Sequence, residues 1–325
     1  MESDIHDHRL LYKVAKAYYE DNLTQQQIGG RFGLSRVKVS RMLGQARSRG
    51  VVRISVHPPE ASNADLEREI EAKYALKEAI VVTPSARDAH TIATELGPVA
   101  ARHLLRCLQG DEVVAMSWGS TLLAVVDSLP AARFPDIRVV QIIGGLGELE
   151  ANVHGAELAR RMAQALGARP RLLQAPGIVK NRSVRDALVN DPQVAGTLKL
   201  AAAAKIALVG LGELRMGSTL FGTQVLAPSQ IQELKGAGAV GDVALRFFDR
   251  GGAKVSSKID TQMVGLDLDS LKAIPRVIGV AGGRRKFEVI RAALLGKLIS
   301  VLITDCYTAQ DLLEDSEQHG LDVDA

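Results

Sequence analysis

Only two cysteines, Cys107 and Cys306, occur in the 325 residues. Two thiols do not make a disulfide framework, so the cysteine content favours a reducing compartment. The N-terminus is polar and charged and lacks the apolar segment of a secretory signal. No stretch approaches the roughly 18 apolar residues of a membrane span, because Lys205 interrupts the apolar run before it. These absences predict a soluble, cytoplasmic protein whose length allows two or three domains.

Acidic residues are missing from one long stretch, since no Asp or Glu occurs from Asn22 to Pro59. Basic residues are frequent there: Arg31, Arg36, Lys38, Arg41, Arg47, Arg49 and Arg53. Residues 1–56 contain ten Lys/Arg and five Asp/Glu, a formal charge of +5, whereas the rest of the chain carries −2. An ordinary soluble helix mixes both signs of charge. The distribution indicates a nucleic-acid-binding N-terminal module joined to a nearly neutral second part.

The stretch from Leu23 to Leu43 predicts two short helices joined by a turn. Thr24 and Gln27 have the spacing of a capping box at the start of the first helix. Gly33 is placed to end that helix in a left-handed conformation. Ser35 is placed to cap the second helix. The spacing is that of a helix-turn-helix, and a preceding helix over residues 9–20 would support it.

The second of these helices has distinct inner and outer faces. An inward stripe recurs at the helical spacing: Val39, Met42, Leu43 and Ala46. The outer face and its flanks offer what a DNA major groove requires, which is cations for phosphates and Arg and Ser for base edges. A charged helix that only faces solvent is the alternative, and the missing acidic residues disfavour it. The candidate DNA-binding residues are Thr24, Gln25, Ser35, Arg36, Val37, Lys38, Ser40, Arg41 and Arg53.

The pattern changes after Gly50, where Val52, Ile54 and Val56 alternate with polar residues and predict a short wing strand. Two prolines follow, so residues 58–63 are predicted to be a linker. This divides the chain into a DNA-binding domain over 1–57 and a second domain over 64–325. A charged helix over 64–74 opens the second domain, and its apolar stripe is expected either to form a dimer contact or to lie on that domain.

Short apolar runs alternate with helical segments from Ala79 onward. Strands are predicted at 79–83, 113–116, 139–143, 171–173, 206–209, 277–280 and 299–304, and helices at 89–109, 121–128, 153–166 and 287–295. This alternation is typical of an α/β fold with a parallel sheet covered on both faces. The less regular residues 223–265 are predicted to hold a small antiparallel insertion with strands at 243–248, 254–257 and 263–266. Ligands of such sheets bind at the carboxyl ends of the strands.

Four glycine-containing loops follow predicted strands. The loop 117–122 leads into a helix whose first amides favour an anion, although an ordinary strand-to-helix turn is an equal alternative. The loops 144–149 and 210–214 begin as G-x-G, but Glu150 and Arg215 stand where a dinucleotide fingerprint needs a third glycine. The sequence also lacks a P-loop, so we expect no cofactor and no metal. The loop 281–286 places Lys286 beside glycines at a helix start, which is typical of a phosphate clamp, whereas Arg284 and Arg285 could simply face solvent.

The chain resembles the SorC family of bacterial sugar-responsive transcriptional regulators. The resemblance rests on motifs in family order from residue 10 to about 313: Leu23–Leu43, Ser117–Leu122, Gly144-Gly145, Gly236–Asp242, Phe248-Asp249, Ala281–Lys286 and Thr304-Asp305. It implies a winged helix-turn-helix and a Rossmann-like effector domain akin to sugar-phosphate isomerases and deaminases. It further implies a homotetramer, a dimer of dimers, that binds paired operator sites of a carbohydrate or polyol operon.

The resemblance also implies a set of effector-binding residues: Gly119, Ser120, Thr121, Gly144, Gly145, Asn152, Asp242, Ala244, Gly282, Gly283 and Lys286. Family members that bind a bisphosphate have extra cations, whereas residues 216–229 here carry no charge. We therefore expect a monophosphorylated sugar, or an unphosphorylated sugar or polyol.

Two other functions fit parts of the sequence. An isomerase or deaminase would need an acid and a base, for which Asp242, Glu148 and His154 are available. The basic N-terminal module argues against such an enzyme. A nucleoid-type DNA binder that ignores small molecules is disfavoured by the glycine loops and Lys286.

Overall fold

A computed structural model describes residues 2–53, 62–146, 155–214 and 226–315, with side chains from residue 8 onward. The chain divides into two compact units, residues 1–60 and 61–325. The wing-strand positions Ile54 and Val56, most of the proposed linker, and the site candidates Glu148, Asn152 and His154 lie outside the described residues. None of the described helices is long and apolar enough to cross a membrane.

The first unit contains the predicted helix-turn-helix. Its helices are α1 (Glu2–Tyr19), α2 (Gln25–Phe32) and α3 (Arg36–Ser48). The capping box of Thr24 and the left-handed Gly33 at the end of α2 are confirmed, as is the Ser35 cap of α3. The predicted inward stripe of α3 is buried against Leu11, Val14 and Ile28 from the other two helices. Apolar spacing and local caps therefore fix the orientation of α3 within this unit.

The second unit is built on a parallel sheet, as predicted. In spatial order its strands are β1 (Glu78–Val82), β9 (Val301–Asp305), β8 (Arg276–Val280), β5 (Ile206–Glu213), β2 (Val113–Met116), β3 (Arg138–Gln141) and β4 (Arg169–Arg171). Chain order runs outward from β2 through β3 to β4, returns to β5 and then runs the opposite way. The order reverses between β2 and β5, and such a switch point opens a crevice at the carboxyl ends of the strands.

Helices cover both faces of this sheet. They are α4 (Ala64–Tyr74), α5 (Ala89–Cys107), α6 (Ser120–Asp127), α7 (Gly155–Leu166), α8 (Arg182–Val189), α9 (Pro192–Ala202), α10 (Pro228–Gly236), α11 (Leu268–Lys272), α12 (Phe287–Leu295) and α13 (Cys306–Glu314). Alternate strand residues enter different apolar clusters, so that Val113 lies on one face with Ile70 and Val114 lies on the other with Leu122. The α4 stripe packs on this unit, where the Tyr74 hydroxyl donates to the Leu312 carbonyl at 3.0 Å.

Two details of the predicted fold are wrong. The segment 243–248 is not one strand but a hairpin of β6 (Gly241–Val243) and β7 (Arg246–Phe248), because Ala244 and Leu245 both adopt positive φ angles, +51° and +61°. Such a pair of angles makes a tight two-residue turn. The segments 254–257 and 263–266 form only isolated bridges, such as Phe248 with Lys254.

The third predicted loop is also wrong, since residues 210–213 continue β5. This extension pairs antiparallel with β6, opposing Gly212 to Asp242 and Glu213 to Gly241. Asp242, the polar residue of β6, is thereby brought to the carboxyl end of β5, where the crevice opens.

Candidate functional site

The outer face of α3 is exposed and basic. Val37 retains 62% of its surface accessibility, and Arg36, Lys38, Ser40 and Arg41 are exposed beside it. Within the described part of the chain, none of these three cations forms an ion pair, whereas Arg31 on α2 lies 3.7 Å from Asp21. The free cations of α3 are therefore available to a polyanion.

Two of the candidate DNA-binding hydroxyls are already used as caps. Thr24 Oγ1 accepts from the Gln27 amide at 3.3 Å and donates to the Gln27 side chain at 2.9 Å. Ser35 Oγ accepts from the Lys38 amide at 3.2 Å, which leaves its hydroxyl proton free to donate. Gln25 is half-buried and Arg53 is exposed at the last described residue of the first unit.

A cleft of about 780 Å³ opens at the switch point of the sheet. Its walls come from the segments that follow β1, β2 and β8 and from the end of β5. The described lining residues are Arg87, Asp88, Ala89, Ala93, Ser117–Leu122, Gly210–Glu213, Asp242, Ala244 and Gly282–Lys286. Eight of the effector-binding candidates, namely Gly119, Ser120, Thr121, Asp242, Ala244, Gly282, Gly283 and Lys286, are thus brought together by the fold.

One wall of the cleft is the start of α6. Gly119 is the N-cap and offers no side chain to cap the first amides of the helix. Ser120 is exposed and Thr121 is buried beside these amides. Uncapped amides at a helix N-terminus bind an anion through hydrogen bonds and the helix dipole. This wall is therefore suited to a phosphate or carboxylate of a ligand.

A second wall is the glycine segment after β8, which a buried carboxylate holds in place. Asp305, at the end of the adjacent strand β9, accepts from the Gly283 amide at 2.6 Å. Thr308 accepts from the same amide at 2.9 Å and donates to Asp305 at 2.7 Å. The Thr304-Asp305 motif of the sequence thus acts through Gly283, next to the cleft.

A third wall brings two carboxylates and one amine together at the junction of β5 and β6. Asp242 is only 4% exposed, and its Oδ2 accepts from the Leu245 amide at 2.8 Å. Burial raises the pKa of Asp242 to about 6, against the opposing effects of that hydrogen bond and of Lys286. Burial lowers the pKa of Lys286, although the charges of Glu213 and Asp242 oppose this. Glu213 is not among the predicted site residues, because β5 extends beyond the apolar residues 206–209 from which the strand is predicted.

Cations surround the mouth of this cleft. Arg87 follows β1 and holds its guanidinium 4.0 Å from the ring centre of Tyr307. Arg284 and Arg285 are exposed on the lining, and Asp88 caps α5 beside them. Arg87 was missed by sequence reasoning, although it lies in a loop after a strand. The rule that ligands bind after parallel strands, which located the other loops, also applies to Arg87.

Gly144 and Gly145 are not among the described residues that line the cleft. A Cβ at Gly144 would collide with the backbone of Ala175, so close packing of two chain segments requires glycine there. Gly145 forms a bridge with Pro176 and donates to the Ala175 carbonyl at 2.8 Å. Asn152 lies outside the described residues. Among those that are described, no cluster of three His, Cys, Asp or Glu side chains could hold a metal ion.

Comparison with known proteins gives concordant matches. The family model described as "Putative sugar-binding domain" matches residues 59–314. The deoxyribonucleoside regulator of Bacillus subtilis (strain 168) is 33% identical over 307 residues, covering 94% of this chain and 98% of that protein. The transcriptional regulator LsrR of Klebsiella pneumoniae subsp. pneumoniae is 30% identical over 311 residues, covering 94% and 93%.

A solved structure matches in fold as well. The crystal structure of the full-length sorbitol operon regulator SorC from Klebsiella pneumoniae superposes with a TM-score of 0.74 at 28% identity. The match covers 95% of this chain and 99% of that one.

Proposed function

The chain belongs to the SorC family of sugar-binding transcriptional regulators, and we propose that a sugar phosphate held in the cleft at the switch point controls operator binding by α3. The relatives of this chain are regulators, among them, by name, a deoxyribonucleoside regulator and a sorbitol operon regulator. The observation that supports the proposal best is the cleft itself. It combines an uncapped helix start with a buried acid and a lysine, in a chain whose α3 carries unpaired cations.

The DNA-binding part of the proposal rests on α3. Arg41 and Ser40 would contact base edges, and Arg36 and Lys38 would contact phosphates. Arg53 would contact phosphate from beyond the helix. A single helix-turn-helix makes few base contacts, so two or more copies on symmetric half-sites would supply the affinity. We therefore include a dimer or tetramer in the proposal.

The ligand-binding part follows from the arrangement of charge around the cleft. The amides of Ser120 and Thr121 would bind the phosphate, with Arg87, Arg284 and Arg285 as surrounding cations. The described lining residues carry four cations and three carboxylates. This small positive excess suits one phosphate better than two. The sugar would extend toward the buried carboxylate of Asp242 and toward the half-buried Lys286.

The proposal includes no catalytic step. An isomerase or deaminase would need a base and an acid facing the substrate, and of the three candidates Glu148 and His154 lie outside the described residues. Proton NMR of the protein with sugar phosphates checks this directly. Conversion of any sugar phosphate at a rate proportional to protein concentration would favour the enzyme.

The proposed control of DNA by a sugar phosphate is tested in two stages. Selection from random DNA duplexes supplies an operator, which we expect to be a palindrome or a pair of half-sites. Gel shifts on that operator are then repeated with pentose, hexose and hexitol phosphates, and with the corresponding free sugars. We expect at least one phosphate to change the operator affinity. If none of the phosphates or free sugars changes it, the proposed function is wrong.

A further inference from the structure

The wall formed by β5 and β6 contains a carboxylate that neither the motifs nor the comparisons assign. Glu213 is the last residue of β5 and lies on the lining of the cleft. The antiparallel pairing opposes its neighbour Gly212 to Asp242. A Cβ at position 212 would collide with the Asp242 carboxylate, so glycine lets that carboxylate pack directly against β5. Successive residues of a strand point to opposite faces, so Glu213 and Asp242 line the cleft from different faces of this strand pair.

Each of these carboxylates keeps one buried oxygen without a hydrogen-bond partner. Within the described residues, Glu213 Oε2 and Asp242 Oδ1 are both inaccessible and unpaired. Folded proteins satisfy most of their buried polar atoms, and an unsatisfied one needs an explanation. Two such atoms on side chains that line the same cleft indicate acceptors that are kept for a bound molecule.

Lys286 does not explain the two acids as ordinary ion-pair partners. Among the ion pairs of the described residues, which extend to nitrogen–oxygen distances of 4.0 Å, none joins Lys286 to either carboxylate. The lysine is attracted by both Glu213 and Asp242 but lies beyond contact distance. With Glu213, Asp242 and Lys286 all ionised, the wall carries a net charge of −1.

We infer that Glu213 is a second ligand-binding carboxylate, which accepts a hydrogen bond from a sugar hydroxyl group other than the one that Asp242 recognises. Ionised carboxylates only accept hydrogen bonds, so the group that meets them must donate. A sugar or polyol carries several hydroxyl groups along its chain, so it can donate to two separate acceptors in one cleft. The phosphate would lie away from the acids, at the start of α6. This inference rests on the proposed function and specifies which part of the ligand is recognised.

The test uses pairs of sugar phosphates that differ by a single hydroxyl group. Pentose, hexose and hexitol monophosphates, each with its deoxy analogue, are titrated calorimetrically into the full-length protein and into Glu213→Gln. Inorganic phosphate is the second probe for every variant. Glu69→Gln is the matched control, because Glu69 is exposed on α4 and is absent from the cleft. Thermal unfolding without ligand is recorded for each variant.

We expect Glu213→Gln to lower affinity for the best-bound sugar phosphate roughly tenfold or more, as loss of a charge-assisted hydrogen bond would. The same substitution should weaken binding of the deoxy analogue that lacks the recognised hydroxyl much less. Inorganic phosphate should bind to Glu213→Gln as tightly as to the wild type. Removing an unpaired buried charge should leave the melting temperature unchanged or higher. Glu69→Gln should behave as the wild type in each titration.

Two results would overturn the assignment of Glu213. One is sugar-phosphate affinity and hydroxyl discrimination in Glu213→Gln equal to those of the wild type. The other is a lower melting temperature with equal losses for every probe, since Glu213 would then support the fold and not the ligand. A wild type that binds no member of the panel would instead contradict the proposed function.

Discussion

Asp305 accepts a hydrogen bond of 2.6 Å from the backbone amide of Gly283, which joins the end of one strand to the ligand cleft beside it. The same carboxylate accepts from the Tyr307 and Thr308 amides and caps α13. One buried side chain therefore fixes both a helix start and the glycine segment that precedes Lys286. The position of the Lys286 backbone depends on this carboxylate, although Asp305 itself is not among the lining residues.

Replacing Asp305 with Asn should weaken both the fold and ligand binding. An uncharged amide cannot accept the charge-assisted hydrogen bonds that the Asp305 carboxylate accepts. Their loss should cost about 1–3 kcal/mol of unfolding free energy. Urea unfolding measures that loss, and calorimetry measures sugar-phosphate affinity. Asp191→Asn is the matched control, because Asp191 caps α9 in the same way without lining the cleft. Equal ligand affinity in Asp305→Asn and the control would show that the Gly283 hydrogen bond does not position the site.

Replacing Asp242 with Asn should stabilise the ligand-free protein, and more so at high pH. Burial raises the pKa of Asp242 from its ordinary value of 3.8 to about 6, so the folded state holds the proton more tightly than the unfolded state. Wild-type stability is therefore lost as the pH rises from about 4 through about 6, by about 2–3 kcal/mol in total. The stability of Asp242→Asn does not fall over this pH range, because the amide side chain does not ionise.

Unfolding free energies of the wild type and Asp242→Asn at pH 5 and pH 8 measure this effect. The advantage of the variant should grow by about 1 kcal/mol or more between the two pH values. Asp269→Asn, at an exposed position of α11, serves as the control. A stability difference that does not change with pH would contradict the raised pKa.

Replacing Arg41 with Ala should reduce DNA sequence specificity. A lost arginine–base contact weakens specific binding by about 1–3 kcal/mol, and Arg53→Ala should weaken all DNA alike and lower the salt slope by about one. Gel shifts on the operator and on a scrambled duplex, at several salt concentrations, separate the two effects. Lys13→Ala on the exposed side of α1 is the control. Equal losses on both duplexes for Arg41→Ala would exclude base recognition by this residue.

The protein should be a dimer or a tetramer in solution. Symmetric half-sites need two copies of α3, because one helix-turn-helix makes too few base contacts for tight binding. Light scattering at micromolar concentration, with and without operator DNA, measures the mass. A monomer that binds its operator tightly would refute this expectation.

Much of the fold could be predicted because local signals dominate it. The caps at Thr24, Gly33 and Ser35 lie in the sequence next to the helix ends that they fix. Strand β2 occupies the predicted residues 113–116, because a short apolar run buried on both faces leaves little choice. The rule that ligands bind after parallel strands located the loops around Gly119 and Lys286.

The errors share a cause, which is that sequence spacing does not show long-range pairing. Residues 210–213 look like a glycine loop, but pairing with β6 makes them a strand and brings Gly212 opposite Asp242 and Glu213 opposite Gly241. The sequence also does not show that Gly144 permits the close approach of Ala175, some thirty residues away in sequence. Neither relationship is visible until the chain is folded.

The central claim, that the cleft controls the DNA helix, is tested most directly with Lys286→Ala. Calorimetry measures its affinity for the sugar phosphate that acts on the wild type, and gel shifts measure its operator affinity with and without that compound. Loss of one charge-assisted contact should weaken ligand binding by about 1.5–3 kcal/mol, or roughly tenfold or more. Operator affinity without ligand should equal that of the wild type, and the response to the ligand should be lost at concentrations that saturate the wild type. A Lys286→Ala protein that binds the sugar phosphate and releases or engages the operator as the wild type does would contradict the claim.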